Sequence, residues 1–265
     1  MKILSLNVNN FGGTNPKPLK KEPINNWTSW GKAVDEWHIY NKRAIQRNVN
    51  AIIDFSKDFD IIFLYEVDTN CLSWHTLLNE MEDEYELIIH NRRKLSDLNK
   101  NRKSISCAFV KKNIKTNYIE IYDSYRYVAI EVGNTYIFGL HMNYDLDDWD
   151  ILIDWVKNNK DKEILIVGDL NVFDKRTDRY KKFKELLKEG IIDIWLKQGE
   201  SNNVPTANTN ERIDYALSTN ELYEKGLHEV ILNFIRLENY SDHAAIVVTY
   251  NDNSQLKERN NTWKD

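Results

Sequence analysis

Carboxylates, amides and imidazoles fall at the ends of short apolar runs in six separate stretches of this 265-residue sequence. Asn7 follows 3–6, Glu66 follows 61–65, and His141 and Asn143 follow 136–140. Asp169 and Asn171 follow 164–168, Asp214 lies within 212–217, and Asp242 and His243 precede 244–248. Carboxylate and amide oxygens suit a hard divalent cation such as Mg²⁺, with Mn²⁺ as a possible substitute. An imidazole gives or takes a proton near neutrality once a partner on its second nitrogen fixes the tautomer. Cysteine and histidine do not cluster, which argues against structural zinc. Singly, each residue has a plainer explanation: an Asp after a strand caps a helix, and Gly168 to Asn171 reads as a turn with its own side-chain hydrogen bonds.

The elements that must position these residues are short and β-rich. Runs of β type occupy 3–8, 61–65, 85–89, 105–110, 127–132, 136–140, 164–167, 213–217 and 244–250. Apolar residues at helical spacing mark four amphipathic helices between them: Ile45, Val49, Ile52, Ile53; Trp74, Leu77, Leu78, Met81; Trp149, Leu152, Ile153, Val156; and Tyr180, Phe183, Leu187. Strands with helices interspersed predict packed sheets covered by helices. No repeat or linker divides the chain, so one domain over 1–250 is expected, followed by a polar tail over 251–265. Two segments read as inserts: residues 12–32, a long ordered loop holding Trp27 and Trp30, and residues 91–103, where Arg92, Arg93, Lys94, Lys100, Arg102 and Lys103 make the densest positive patch.

Lys and Arg number 36 against 41 Asp and Glu, a net charge of -5, so the molecule as a whole does not attract nucleic acid or an anionic membrane. A polyanion must be gripped by local basic patches or by a bound cation. The hydrophobic content of 42% is enough for a substantial core and excludes disorder over most of the length. No apolar stretch approaches the roughly 20 residues that cross a bilayer. No secretory core forms at the start, and Cys71 and Cys107 are too few for a disulfide framework, so a cytoplasmic location is expected.

Taken in order, the six stretches resemble the endonuclease/exonuclease/phosphatase superfamily, which includes deoxyribonuclease I, exonuclease III, sphingomyelinases and inositol polyphosphate 5-phosphatases. The resemblance runs from Met1 to about Tyr250. Ile3-Leu4-Ser5-Leu6-Asn7 looks like the opening strand with its active-site Asn, and Ile61-Ile62-Phe63-Leu64-Tyr65-Glu66 like the strand ending in the metal-binding Glu. Phe138-Gly139-Leu140-His141 resembles the catalytic His strand, Gly168-Asp169-Leu170-Asn171 the GD-x-N signature, Arg212-Ile213-Asp214-Tyr215 the RIDY segment and Ser241-Asp242-His243 the closing SDH. The resemblance implies an α+β fold, a two-sheet β-sandwich flanked by helices in four α/β/β/α layers. It also implies Mg²⁺-dependent hydrolysis of a phosphodiester by an activated water. Glu66 would then be the main metal ligand with Asn7 beside it, and Asp242 would complete the cation site. Asp169 and Asn171 would hold the water and the scissile phosphate, or a second metal. His243, oriented by Asp214, would be the base or transition-state donor, and His141 would donate to the phosphoryl group or the leaving oxygen. Asn143 and Arg126 are further candidate substrate contacts, Arg126 by its likeness to a phosphate-contacting position of deoxyribonuclease I.

The loops choose among substrates. Val172-Phe173-Asp174 does not continue GD-x-N into the aromatic-then-Arg pair of inositol phosphatases, and the segment 206–211 lacks the bulky aromatics of abasic-site endonucleases. The nearer likeness is to deoxyribonuclease I, with Arg92 and Arg93 in a loop that can grip DNA phosphates without reading sequence. An intracellular nuclease acting on DNA is the expectation. A phosphatase or phospholipid phosphodiesterase of the same superfamily, or a non-catalytic binding protein that keeps the scaffold, are the alternatives.

Overall fold

The structure, a computed structural model, describes residues 1–14, 27–90, 104–122 and 124–250. Arg92, Arg93, the rest of the basic loop and the tail from residue 251 lie outside them. Among the described residues, twelve strands run in chain order as β1 (Lys2–Asn7), β2 (Ile61–Asp68), β3 (Tyr85–Ile89), β4 (Ser104–Lys111), β5 (Asn117–Tyr118), β6 (Tyr127–Val132), β7 (Thr135–His141), β8 (Glu163–Asp169), β9 (Ile191–Asp193), β10 (Asp214–Thr219), β11 (Leu227–Leu232) and β12 (Ala245–Tyr250). The longer helices are α1 (Trp27–Tyr40), α2 (Lys42–Ser56), α3 (Leu72–Met81), α4 (Asp147–Asn158) and α5 (Asp178–Lys188).

Two six-stranded sheets result, in the orders β11-β12-β1-β2-β4-β3 and β5-β6-β7-β8-β10-β9. Each contains one parallel pair, β1 with β2 and β7 with β8, among otherwise antiparallel neighbours. The inner faces meet through Ile3, Ile61, Phe63, Val128, Ile137, Leu165, Val167 and Ile246. The alternate residues Leu4, Leu6, Ile62 and Leu64 turn outward under Trp37, Val49, Ile52 and Trp74 of α1 to α3. Phe138, Ile164, Ile166 and Leu217 turn outward under Trp149, Ile153, Phe183 and Leu186 of α4 and α5. Strands buried on both faces have no polar side to alternate with, which is why they read as continuous apolar runs. The expected four-layer α/β/β/α sandwich is what forms.

Each of the four helical stripes lies on a helix with its Ile, Leu, Val, Trp or Phe members in or against the core. The reading of 12–32 as a loop needs correction, because a helix starts at Trp27 and runs to Tyr40. Its apolar stripe is interrupted: Val34 and Trp37 are buried while Ile39 and Tyr40 face solvent. Strands β5, β9 and β11 were not expected either. The first two span only two and three residues, and β11 carries His228 and Glu229 where a strand pattern would put apolar residues.

The backbone packs too closely for a side chain at two glycines, Gly139 facing the other sheet and Gly168 facing its neighbouring strand. A Cβ on Gly139 would lie 2.1 Å from Phe63 Cδ1, and one on Gly168, whose φ is +146°, would lie 1.9 Å from the Leu140 carbonyl oxygen. Gly168→Ala is therefore expected to cost at least about 2 kcal/mol of stability, since backbone must shift in a close-packed interior. Urea unfolding that left the midpoint unchanged would refute that packing.

Candidate active site

Strand register gathers the polar residues at one end of the sandwich. In the parallel pair of the first sheet Asn7 sits opposite Tyr65, next to Glu66. In that of the second sheet His141 sits opposite Asp169. Antiparallel β10 brings Asp214 opposite Asp169 from the other side. The segment entering β12 runs back beside β1, where Ser241 Oγ donates to the Asn7 carbonyl at 2.5 Å.

The centre of the site is Asp169, whose side chain is almost wholly buried. Its Oδ2 accepts from Asn7 Nδ2 at 3.1 Å and lies 3.8 Å from the Nε2 atoms of both His141 and His243. Its Oδ1 accepts from the Asn171 backbone N–H at 3.0 Å. Asn7 Nδ2 also donates to Glu66 Oε1 at 3.2 Å, and the same Glu66 oxygen lies 3.6 Å from His141 Nε2. His243 Nδ1 faces the Asp214 carboxylate at 2.9 and 3.2 Å, so its ring N–H donates there, a carboxylate being acceptor only. Asp242 Oδ1 is 4.0 Å from His243 Nε2. Asn7, Glu66, His141, Asp169, Asn171, Asp214, Asp242 and His243 thus form one continuous constellation.

Two of these positions depart from relaxed backbone. Glu66 has a φ of 55° and Asn171 one of 53°. The pairing of β2 with β4 shifts register between Leu64 and Val67, a bulge that lifts Glu66 out of the buried ladder and turns it toward the site. Left-handed backbone at a Glu costs on the order of 1–3 kcal/mol, and such strain persists where surrounding structure over-determines it.

Electrostatics divide the roles. Burial raises the Asp169 carboxyl above its ordinary range; Asp214 and Glu66 add to this, and His243 and the Asn7 hydrogen bond offset only part. Burial disfavours the His243 cation, but Asp214 against Nδ1, with Asp169 and Asp242 beyond, outweighs it and raises the imidazole well above its ordinary value. Asp169 is therefore a carboxylate poised to accept a proton, and His243 a charged donor at neutral pH.

Two kinds of metal position are open in this geometry. Among the described residues, Asp169, Asp214 and His243 bring ligand atoms within 4.8 Å of one another. The alternative is the oxygen-rich side at Glu66, Asn7 and Asp169. His243 is committed through Nδ1 to Asp214 and held as a cation, which opposes a metal on its other nitrogen; Glu66 and Asp169 offer carboxylate oxygens of the kind Mg²⁺ prefers, while Asn7 turns its amide nitrogen to both and its Oδ1 accepts the Asn9 N–H at 3.0 Å. The residues fit a hard cation on the Glu66 side.

The remaining candidates are placed less centrally. The Arg126 carbonyl accepts from the His141 N–H at 2.8 Å, while its guanidinium acts on Asp148 of α4. Asn143 Oδ1 accepts the Tyr144 N–H at 2.8 Å.

Several supporting residues were not foreseen. Buried Thr206 accepts the N–H groups of Ile213 and Asp214 on its Oγ1, each at 3.0 Å, and its carbonyl accepts from Ala244 N–H at 2.6 Å. One loop thereby holds Asp214 and the residue after His243 together. Nothing in a polar stretch such as 206–211 signals this. Arg212 forks onto Asp193 with two 2.8 Å bonds and lies 3.9 Å from Glu229 Oε1, anchoring the chain two residues before Asp214. Burial pushes the Glu229 carboxyl up to about 8 from 4.5; Arg212 opposes and Asp193 assists. Because the unfolded chain ionises this group near 4.5, the native fold is favoured most below that pH and loses this contribution as pH rises toward 8. Glu229→Gln should match the parent protein in urea at pH 4 and exceed it at pH 8 by a few kcal/mol at most. Equal stability at both pH values would contradict a buried, raised carboxyl.

No protein-family model matches the sequence, and no curated protein matches it. Solved structures do. An AP endonuclease from Archaeoglobus fulgidus superposes with a TM-score of 0.64 at 14% identity over 95% of this chain and 100% of that one. An endonuclease/exonuclease/phosphatase family protein from Leptotrichia buccalis gives 0.58 at 15% identity, over 95% and 100%. The 3′ phosphatase NExo from Neisseria, bound to a product DNA hairpin, gives 0.59 at 14% identity, over 95% and 100%. The chain therefore has the deoxyribonuclease I-like fold. At these identities the likeness is one of fold, and the side-chain geometry must carry the chemistry.

Proposed function

We propose that the protein is a divalent-cation-dependent phosphodiesterase whose substrate is DNA. The observation that carries the reading is the convergence of two imidazoles, one backed by Asp214, on the single buried Asp169 carboxylate, with Glu66 and Asn7 completing the ring. A bound Mg²⁺, held by Glu66 with Asn7 and Asp169 beside it and Asp242 available on the far side, would supply positive charge to the non-bridging phosphate oxygens.

Asp169 Oδ2 takes a proton from the attacking water as the water oxygen bonds to phosphorus. The His243 Nε2–H, kept charged by Asp214, donates to a non-bridging oxygen as negative charge builds there. Asn171, fixed by its donation to the Met142 carbonyl at 3.1 Å, positions the phosphate. The bond from phosphorus to the leaving oxygen breaks, and that oxygen takes its proton from His141. DNA is favoured over other phosphodiesters because the structural neighbours include an AP endonuclease and a phosphatase bound to DNA.

Nicking of supercoiled plasmid in Mg²⁺, abolished by EDTA, is the expected result. Cleavage that survives EDTA would remove the cation from the account. Inertness toward plasmid and oligonucleotides beside turnover of sphingomyelin or an inositol phosphate would move the substrate elsewhere in chemical space.

A further inference from the structure

Beside the catalytic ring lies a group of side chains that the mechanism does not use. Tyr144, on the loop after His141, is 67% exposed, and Phe173, two residues beyond Asn171, is 42% exposed. Between them Arg179, at the start of α5, places its guanidinium carbon 4.1 Å from the Tyr144 ring centroid and 5.9 Å from that of Phe173. Among the described residues Arg179 Nη1 is buried without a hydrogen-bond partner, and the two rings are what its guanidinium packs against. Tyr144 Oη reaches Asn171 Oδ1 at 3.5 Å, which sets the platform one side chain from the phosphate position.

Two large exposed rings grouped around one cation beside the catalytic ring make the kind of apolar patch that marks a binding surface. We infer that Tyr144, Phe173 and Arg179 form a stacking platform for an unpaired nucleobase on the nucleotide flanking the scissile phosphate. Every base presents a flat π face, so such a platform is tolerant of sequence. The Arg179 charge complements the phosphate anion bound next to it in a molecule of net charge -5. A base within a duplex is already stacked on its neighbours, so the platform favours single-stranded or frayed ends. This inference rests on the phosphodiesterase reading and adds a substrate preference to it.

The test is steady-state cleavage in Mg²⁺ of a thymidine 12-mer and of the same oligonucleotide in which tetrahydrofuran abasic residues replace the thymidines, with bis(p-nitrophenyl) phosphate alongside. The parent protein should show a KM for the thymidine oligomer roughly 10-fold below that for the abasic one. Tyr144→Ala and Phe173→Ala should each shrink that ratio toward one, whereas Tyr144→Phe, which keeps the ring and loses the bond to Asn171, should retain it. Circular dichroism checks that the variants are folded, and retention by Tyr144→Phe keeps the test decisive should either alanine variant unfold. Equal KM values for the two oligomers in the parent, or a ratio lost equally in Tyr144→Phe, overturn the inference. Turnover of the small diester without cleavage of any oligonucleotide overturns it while leaving the phosphodiesterase intact, and inertness toward all three overturns both.

Discussion

His243→Ala is expected to lower kcat for phosphodiester cleavage by roughly 10²- to 10⁴-fold, the range for removing a positioned proton donor or acceptor. The residue does two things that alanine cannot. Its Nδ1 is 2.9 Å from Asp214, which keeps the ring charged, and its Nε2 is 3.8 Å from Asp169 Oδ2, on the face where the proposed reaction would place the phosphate. The variant should also melt at a lower temperature, because Asp214 is left as a buried carboxylate with its counter-charge gone. Activity must therefore be compared well below the melting point, with folding checked by circular dichroism. His243→Gln, which can still hydrogen-bond Asp214, should recover stability without recovering rate. Near-normal turnover by either variant would remove His243 from the chemistry.

Glu66→Ala is expected to raise the Mg²⁺ concentration for half-maximal activity by at least about 10-fold, the scale on which even supporting groups at metal sites act. The bulged, left-handed backbone at Glu66 turns its carboxylate toward Asn7 and Asp169. Removing that carboxylate leaves the fold almost untouched, so the effect should appear in the metal titration and not in the melting curve. A titration superimposable on that of the parent would place the cation elsewhere, with the Asp169, Asp214 and His243 group as the remaining position.

The residues behind these two effects differ in how far the sequence reveals them. Residues that end apolar runs were legible, because a strand buried on both faces tolerates a charge only where it emerges. Asn7, Glu66, His141, Asp169, Asp214 and His243 stand out for that reason, and parallel pairing in each sheet then brings their ends together. The layered sandwich was legible for the same reason, together with the four helical stripes. Helix α1 was not, since Ile39 and Tyr40 face solvent and break the pattern. Glu229 hid β11, because a carboxyl at a buried position breaks the apolar pattern, and the Arg212 that it meets there lies outside the strand. The bond of Thr206 to Ala244, and the grouping of Tyr144 with Arg179, depend on contacts between stretches far apart in the chain, which local pattern does not encode.

The central claim is that a single buried carboxylate, Asp169, separates a cation half of the site at Glu66 and Asn7 from a proton-donating half at Asp214 and His243. Anomalous diffraction from crystals soaked in Mn²⁺ tests it most directly. The account predicts one manganese peak bonded to the Glu66 carboxylate and adjoining Asp169, with His243 Nδ1 still on Asp214. A peak ligated by His243, or no bound manganese near Glu66, would contradict it.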